Sequence, residues 1–135
     1  MSLRIVIDTN VYVSRFLRPQ SVPGQAVAKA WLEARPLLST MTWNELHAVL
    51  LRPKFARYIR PGSIEPFLRL VWAASEEIVP GKPIHACRDP RDDKFLEVAV
   101  YGKADVLLTG DADLLALHPF HGVEILSPAA FLGDR

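Results

Sequence analysis

Cysteine is nearly absent from this chain, and the shortage excludes a whole architecture. Cys87 has no second cysteine among the 135 residues, so an internal disulfide framework is impossible and a reducing compartment is expected. Cys87 itself reads as a small buried or half-buried side chain. Excess charge of one sign is also lacking. The 16 Lys and Arg against 15 Asp and Glu give a field too weak to imply a nucleic-acid partner, so any electrostatic attraction has to come from local clusters. Long apolar runs are missing too. Arg4 interrupts the opening stretch Leu3 to Ile7, which leaves no signal-peptide core or membrane span, and we expect a cytoplasmic protein with no membrane partner. Internal repeats and low-complexity segments do not occur.

What is present is enough apolar residue, 50% of the chain, to bury one core, so residues 1–135 are expected to fold as a single domain. Short β-branched runs alternate with longer helical patterns. Leu3 to Ile7 reads as a strand buried on both faces, followed by a helix from about Asn10 to Leu17. Ala26, Ala30, Trp31 and Ala34 share a helical face between Pro23 and Ala34, Pro36 ends that helix, and Leu37 to Thr40 forms a second strand. Helices are expected over Trp43 to Leu51, Ser63 to Ala74 and Asp92 to Tyr101. Further strands are expected at Glu77 to Val79, Asp105 to Thr109 and Val123 to Leu126, before a short C-terminal helix. Strands separated by helices favour parallel pairing, hence a three-layer α/β/α sandwich with a mainly parallel sheet. Such sheets bind ligands at the carboxyl ends of their strands.

The acids fall at that edge. Asp8 ends the first strand, Glu45 lies on the helix after the second, and Asp111 follows the strand that closes at Thr109. Asp93 opens a helix, and Glu97 lies one turn further along the same face. Ordinary roles compete for several of them. Thr42 and Glu45 have capping-box spacing, Asp89-Pro90 reads as a helix N-cap, and Asp111 and Asp113 after Gly110 suit an Asx turn. Asp8 is harder to explain structurally, because a carboxylate after a buried run costs several kcal/mol if it is left desolvated and unpaired, and Thr9 and Asn10 stand nearer the capping position. Asp93 and Glu97 are like charges at i,i+4 spacing and Lys94 reads as pointing elsewhere, so a bound cation is the natural partner. For that reason the register favours Asp93 over Asp92. No histidine stands inside these motifs and one cysteine cannot build a thiolate site. Oxygen ligation of Mg²⁺ or Mn²⁺ is therefore indicated over zinc, and with it a phosphate-bearing substrate.

Four segments, Ile5 to Val11, Asn44-Glu45-Leu46, Asp92 to Ala99 and Leu108 to Leu114, together resemble in order and spacing the PIN-domain family, and within it the toxin components of VapBC-like toxin–antitoxin pairs. The resemblance implies an endoribonuclease in which Asp8, Glu45, Asp93 and Asp111 bind one or two Mg²⁺ or Mn²⁺ ions, with Glu97 and Asp113 as auxiliary ligands. It implies in-line attack of an activated water on phosphorus, leaving 5′-phosphate and 3′-hydroxyl ends. It further implies a cognate antitoxin and a homodimer. Thr9, Asn10 and Thr109 stand beside the acids and suit contacts to substrate or metal waters, or else capping. Arg52, Lys54, Arg57 and Arg60, interleaved with Phe55 and Tyr58, suit RNA binding or a solvated helix face. His118 and His121 read as ordinary loop residues. Two other classes share part of the pattern. A HAD-type phosphohydrolase would require an acid at Asn10, and a non-catalytic PIN-like scaffold would gain nothing from clustered repulsive carboxylates.

Overall fold

A computed structural model describes residues 3–134, with the side chain of Asp134 left out. Met1, Ser2 and Arg135, part of the expected single domain, lie outside the described residues. Strand β1 (Leu3–Ile7) is followed by α1 (Thr9–Leu17) and α2 (Val22–Glu33), then β2 (Ala34–Leu38) and α3 (Thr40–Leu50). A 3₁₀ segment, Pro53–Tyr58, leads to α4 (Ile64–Ala74) and the short β3 (Glu76–Glu77). A 3₁₀ turn at Pro90–Asp92 introduces α5 (Asp93–Tyr101), and β4 (Val106–Leu108), α6 (Ala112–Leu115), β5 (Glu124–Leu126) and α7 (Pro128–Asp134) complete the order.

The strands form one parallel sheet in the order β3-β2-β1-β4-β5. Alternation along each strand divides the core. Ile5, Ile7, Leu38, Val106 and Leu108 face one layer built from α1 to α4 and α7, where Val27, Leu50, Val71 and Phe131 are buried. Val6, Leu37, Leu107 and Ile125 face the other, where Phe95, Leu96 and Val98 of α5 and Leu114 of α6 close the sandwich. The expected three-layer α/β/α architecture is the one observed. No helix among the described residues is long and apolar enough to cross a membrane.

The charge inside the first strand is accommodated at the sheet's amino end. The Arg4 guanidinium bonds both carboxylate oxygens of Glu76 at 3.0 Å and the Gly102 carbonyl at 2.9 Å. Strand β2 starts at Ala34, earlier than the pattern suggests, and takes in Pro36. Strand β3 pairs only Leu37 and Leu38, so Pro36 stands where β2 is still an edge, the place that tolerates a missing N–H. Gly24 is required near the start of α2, because a Cβ there would lie 2.4 Å from the Pro19 carbonyl oxygen. Strand order reverses direction between β1 and β4, and that switch point opens the crevice on which the acids converge.

Candidate metal centre

Asp8 leaves the sheet at the switch point and is 5% exposed. Its Oδ1 accepts from the Asn10 amide at 3.3 Å, so Asp8 itself caps α1, a duty the sequence seemed to leave to Thr9 or Asn10. Its Oδ2 accepts from Thr109 Oγ1 at 2.7 Å. Burial raises its carboxyl above the usual range, against the Thr109 and Asn10 hydrogen bonds, and the charges of Glu45 and Asp111 push the same way. Thr109 is fully buried, and its hydroxyl also accepts from the Asp111 amide at 3.0 Å, which ties the ends of β1 and β4 together. Asp111 caps α6 through the Leu114 amide at 3.2 Å. Asp8, Asn10 and Asp111 share a cleft of about 360 Å³ with Val11, Ser14, Gly110, Pro23 and Pro128. Asp113 lies in the first turn of α6, half-buried, and does not line that cleft.

Glu45 reaches the same region from α3. The sequence suggested a Thr42–Glu45 capping box, but Ser39 is the N-cap and Thr42 its reciprocal partner: Thr42 N donates to Ser39 Oγ at 3.2 Å and Ser39 N to Thr42 Oγ1 at 2.9 Å. Serine directly after β2 starts the helix one turn earlier, which frees Glu45 from capping. Its Oε2 accepts from Thr9 Oγ1, and its Oε1 pairs with Lys94 Nζ at 2.8 Å. Lys94 thus points into the site rather than away from it. Its side chain is 11% exposed, and Nζ also donates to the Arg91 carbonyl.

Asp93, which the sequence reading favours, and Asp92 have different surroundings. Asp93 Oδ1 accepts from the amides of Ala86 and Cys87 at 3.1 and 2.7 Å, and Glu97 Oε2 accepts from Ile84 N at 3.0 Å. Loop amides therefore offset the charge of the expected like-charge pair. Asp92 faces the crevice instead. One of its oxygens, an Asp111 oxygen and Cys87 Sγ lie within 4.8 Å of one another. Burial, then the charges of Asp111, Asp8 and Asp89, push its carboxyl up to about 6, with Lys94 opposing. Cys87 is buried as expected, and burial followed by the nearby acids pushes its thiol up. Its sulfur adds a soft donor beside what the sequence read as an oxygen-only cluster.

The basic segment lies elsewhere. Arg52 and Arg60 line a separate groove of about 560 Å³ with Leu50, Ile59 and Leu68, and none of that groove's lining residues borders the acid cleft. Lys54 and Arg57 are exposed and sit over the rings of Phe55 and Tyr58 at 5.1 and 5.0 Å. His118 Nδ1 accepts from Ile125 N at 2.8 Å, an ordinary loop contact.

The donor set fits a divalent cation. Burial first, and after it the charges of neighbouring acids, hold Asp8 and Asp92 above their usual range, and a cation between these carboxylates and Asp111 would reverse that shift. Asp8, Asp92 and Asp111 would hold it, with Glu45 beside them.

An α/β/α sandwich with acids gathered at its switch point is the class this geometry defines. The family model of the PIN domain matches residues 4–113. Uncharacterized protein MJ1680 of Methanocaldococcus jannaschii is 32% identical over 121 residues, which cover 87% of this chain and 76% of that relative. The chain belongs to the PIN-domain family. Among solved structures, PAE2754 from Pyrobaculum aerophilum matches with a TM-score of 0.62 at 18% identity, over 99% of this chain and 97% of its own. VapBC2 from Rickettsia felis, bound to a DNA fragment from their promoter, matches at 0.58 and 11% identity, over 93% and 98%. At these identities the likeness is one of fold.

Proposed function

We propose that this chain is a Mg²⁺- or Mn²⁺-dependent endoribonuclease and the toxin of a toxin–antitoxin pair. The observation that carries the reading is the convergence of Asp8, Asp92 and Asp111 at the switch point, with Glu45 held alongside, in a member of the PIN-domain family. When bound, the metal supplies Lewis-acid polarisation of a phosphodiester and of the water that attacks it. The chain's own residues do the rest. Thr109 and the Asn10 amide fix both oxygens of Asp8, so its carboxylate meets the cation without reorganising. Asp111 is held by its own cap, and Thr9 fixes one oxygen of Glu45. Asp93 is a positioning residue that ties the Ala86–Cys87 loop to α5.

A toxin role is supported by the Rickettsia felis neighbour, a VapBC2 assembly on promoter DNA, and it brings an antitoxin protein partner, a cytoplasmic setting and a homodimer into the proposal. RNA would lie along the acid edge, with Arg52, Lys54, Arg57 and Arg60 as more distant phosphate contacts.

The test is cleavage of a panel of structured and single-stranded RNAs by purified protein with Mg²⁺, Mn²⁺ or EDTA, beside Asp8→Asn. Metal-dependent cutting that falls at least ~100-fold in the variant is the expected outcome, since the buried carboxylate is a direct ligand. Metal-independent cutting, or RNA binding with no cutting under any metal, would overturn it in favour of another chemistry or a binding scaffold.

A further inference from the structure

Lys94 is the feature that neither the fold nor the proposed chemistry requires. The Lys94 side chain is only 11% exposed, so its stem is largely covered and its ammonium is held among protein groups. Two partners occupy it here, Glu45 Oε1 at 2.8 Å and the Arg91 carbonyl, and of its three N–H donors one is left over. Nζ also stands 5.3 Å from the centre of the Phe95 ring, so the stem is anchored along an aromatic face. Lys94 thus sits on Glu45, the one acid of the cluster that comes from α3.

Lys94 also lines a cleft of about 430 Å³, which shares no lining residue with the acid cleft, together with Arg91, His85, Met41, Ile84 and Pro90. The two acids on that wall, Asp93 and Glu97, already accept loop amides. Arg91 is 85% exposed and bound to Asp89, so it leaves the Glu45 position to Lys94. Glu45 does not line this cleft, so a chain phosphate entering it would meet Lys94 without meeting Glu45. Lysine suits such an exchange, being a compact charge on a flexible stem, whereas a planar guanidinium would hold a carboxylate by two bonds.

We propose that Lys94 is a resident counter-ion that competes with the divalent cation for Glu45 and is drawn off by an RNA phosphate, so that substrate and metal each tighten binding of the other. The inference rests on the metal-dependent reading above and adds to it a regulation of the same site. Two ligands that both displace one internal ion pair are coupled reciprocally, and the coupling disappears when the internal cation is removed.

Mn²⁺ binding measured by electron paramagnetic resonance, without any turnover, tests it. Wild type, Lys94→Met, Lys94→Arg, Glu45→Gln and the Glu45→Gln/Lys94→Met double variant are titrated with and without a mixed-sequence 2′-O-methyl RNA dodecamer whose integrity is checked on a gel. Lys94→Met is expected to bind Mn²⁺ about tenfold more tightly than wild type, of the size usual for a coupling between sites. Lys94→Arg should keep the weaker binding, and the dodecamer should tighten wild type but not Lys94→Met. Adding Lys94→Met to Glu45→Gln should give no gain. A Lys94→Met affinity equal to or weaker than wild type overturns the proposal, as does a gain that persists in the Glu45→Gln background, which would mark a general field effect. If wild type binds Mn²⁺ no better than Asp8→Asn, the metal reading itself falls, whatever Lys94 does.

Discussion

Asp93, whose carboxylate accepts two amides of the loop before α5, belongs to the hydrogen-bond accounting of the fold, and its removal leaves both donors without that partner. Asp93→Ala should therefore cost about 2 kcal/mol, the usual penalty when a buried donor such as the Cys87 amide loses its partner, in urea unfolding with EDTA. Asp92→Ala should not destabilise the chain, because it removes a carboxylate whose charge is disfavoured by burial and then by its acidic neighbours, but it should abolish Mn²⁺ binding. Stability loss in Asp92→Ala with none in Asp93→Ala would reverse the two assignments. The same pair shows what the sequence could and could not reveal. Asp8 and Asp111 were legible because each follows a buried strand, where a charge has few structural uses. The choice between Asp92 and Asp93 was not, because the donors that claim Asp93 and Glu97 come from an irregular loop, residues 84–87, whose backbone direction no side-chain period encodes. Lys94 was misplaced for a related reason: its stem turns around the helix start to reach Glu45 on α3, a contact across layers.

At the scale of the element, periodicity located every strand and most helices, and the errors fell where capping chemistry decides. Two overlapping Ser/Thr boxes are available before α3, and the chain uses Ser39 with Thr42 because β2 delivers Ser39 in extended backbone with its hydroxyl beside the first free amides. Ser39→Ala is then expected to cost about 1 kcal/mol, the typical value of an N-cap, while Glu45→Gln costs little stability. Thermal unfolding with EDTA would separate the two. A larger loss from Glu45→Gln than from Ser39→Ala would mean that Glu45 supports the helix after all. Burial of Pro36 inside β2 was likewise unreadable, since it depends on β3 being only two residues long.

Over the whole molecule, 16 basic and 15 acidic side chains nearly cancel, yet the fold concentrates acids at one sheet edge. Burial of Asp92 at that edge, with the repulsion of its neighbours second, makes stability depend on pH in a direction opposite to that of a salt-bridged carboxylate. Asp92 titrates at about 6 in the folded chain against about 4 when unfolded, so the native state binds its proton more tightly, and the stability it adds in acid is lost as pH rises through that window. Glu76, lowered first by its hydrogen bond to Arg4, acts the other way and loses its contribution only as pH falls through its depressed value, so the two effects occupy separate ranges. With EDTA, the Tm of Asp92→Asn minus that of wild type should therefore grow between pH 5 and 7.5. Because Asp92 is only half-buried, solvent screening reduces the effect to about 1 kcal/mol, or about 4 °C. Mn²⁺ at ~100 times its Kd should add about 2.7 kcal/mol to wild type at pH 7.5. The addition should be smaller at pH 5, where protons compete for the same oxygens, and Asp92→Asn should gain little at either pH. A Tm difference that stays constant across this range would show that Asp92 carries no such strain, and the acid edge would then be a solvated surface rather than a site prepared for a cation.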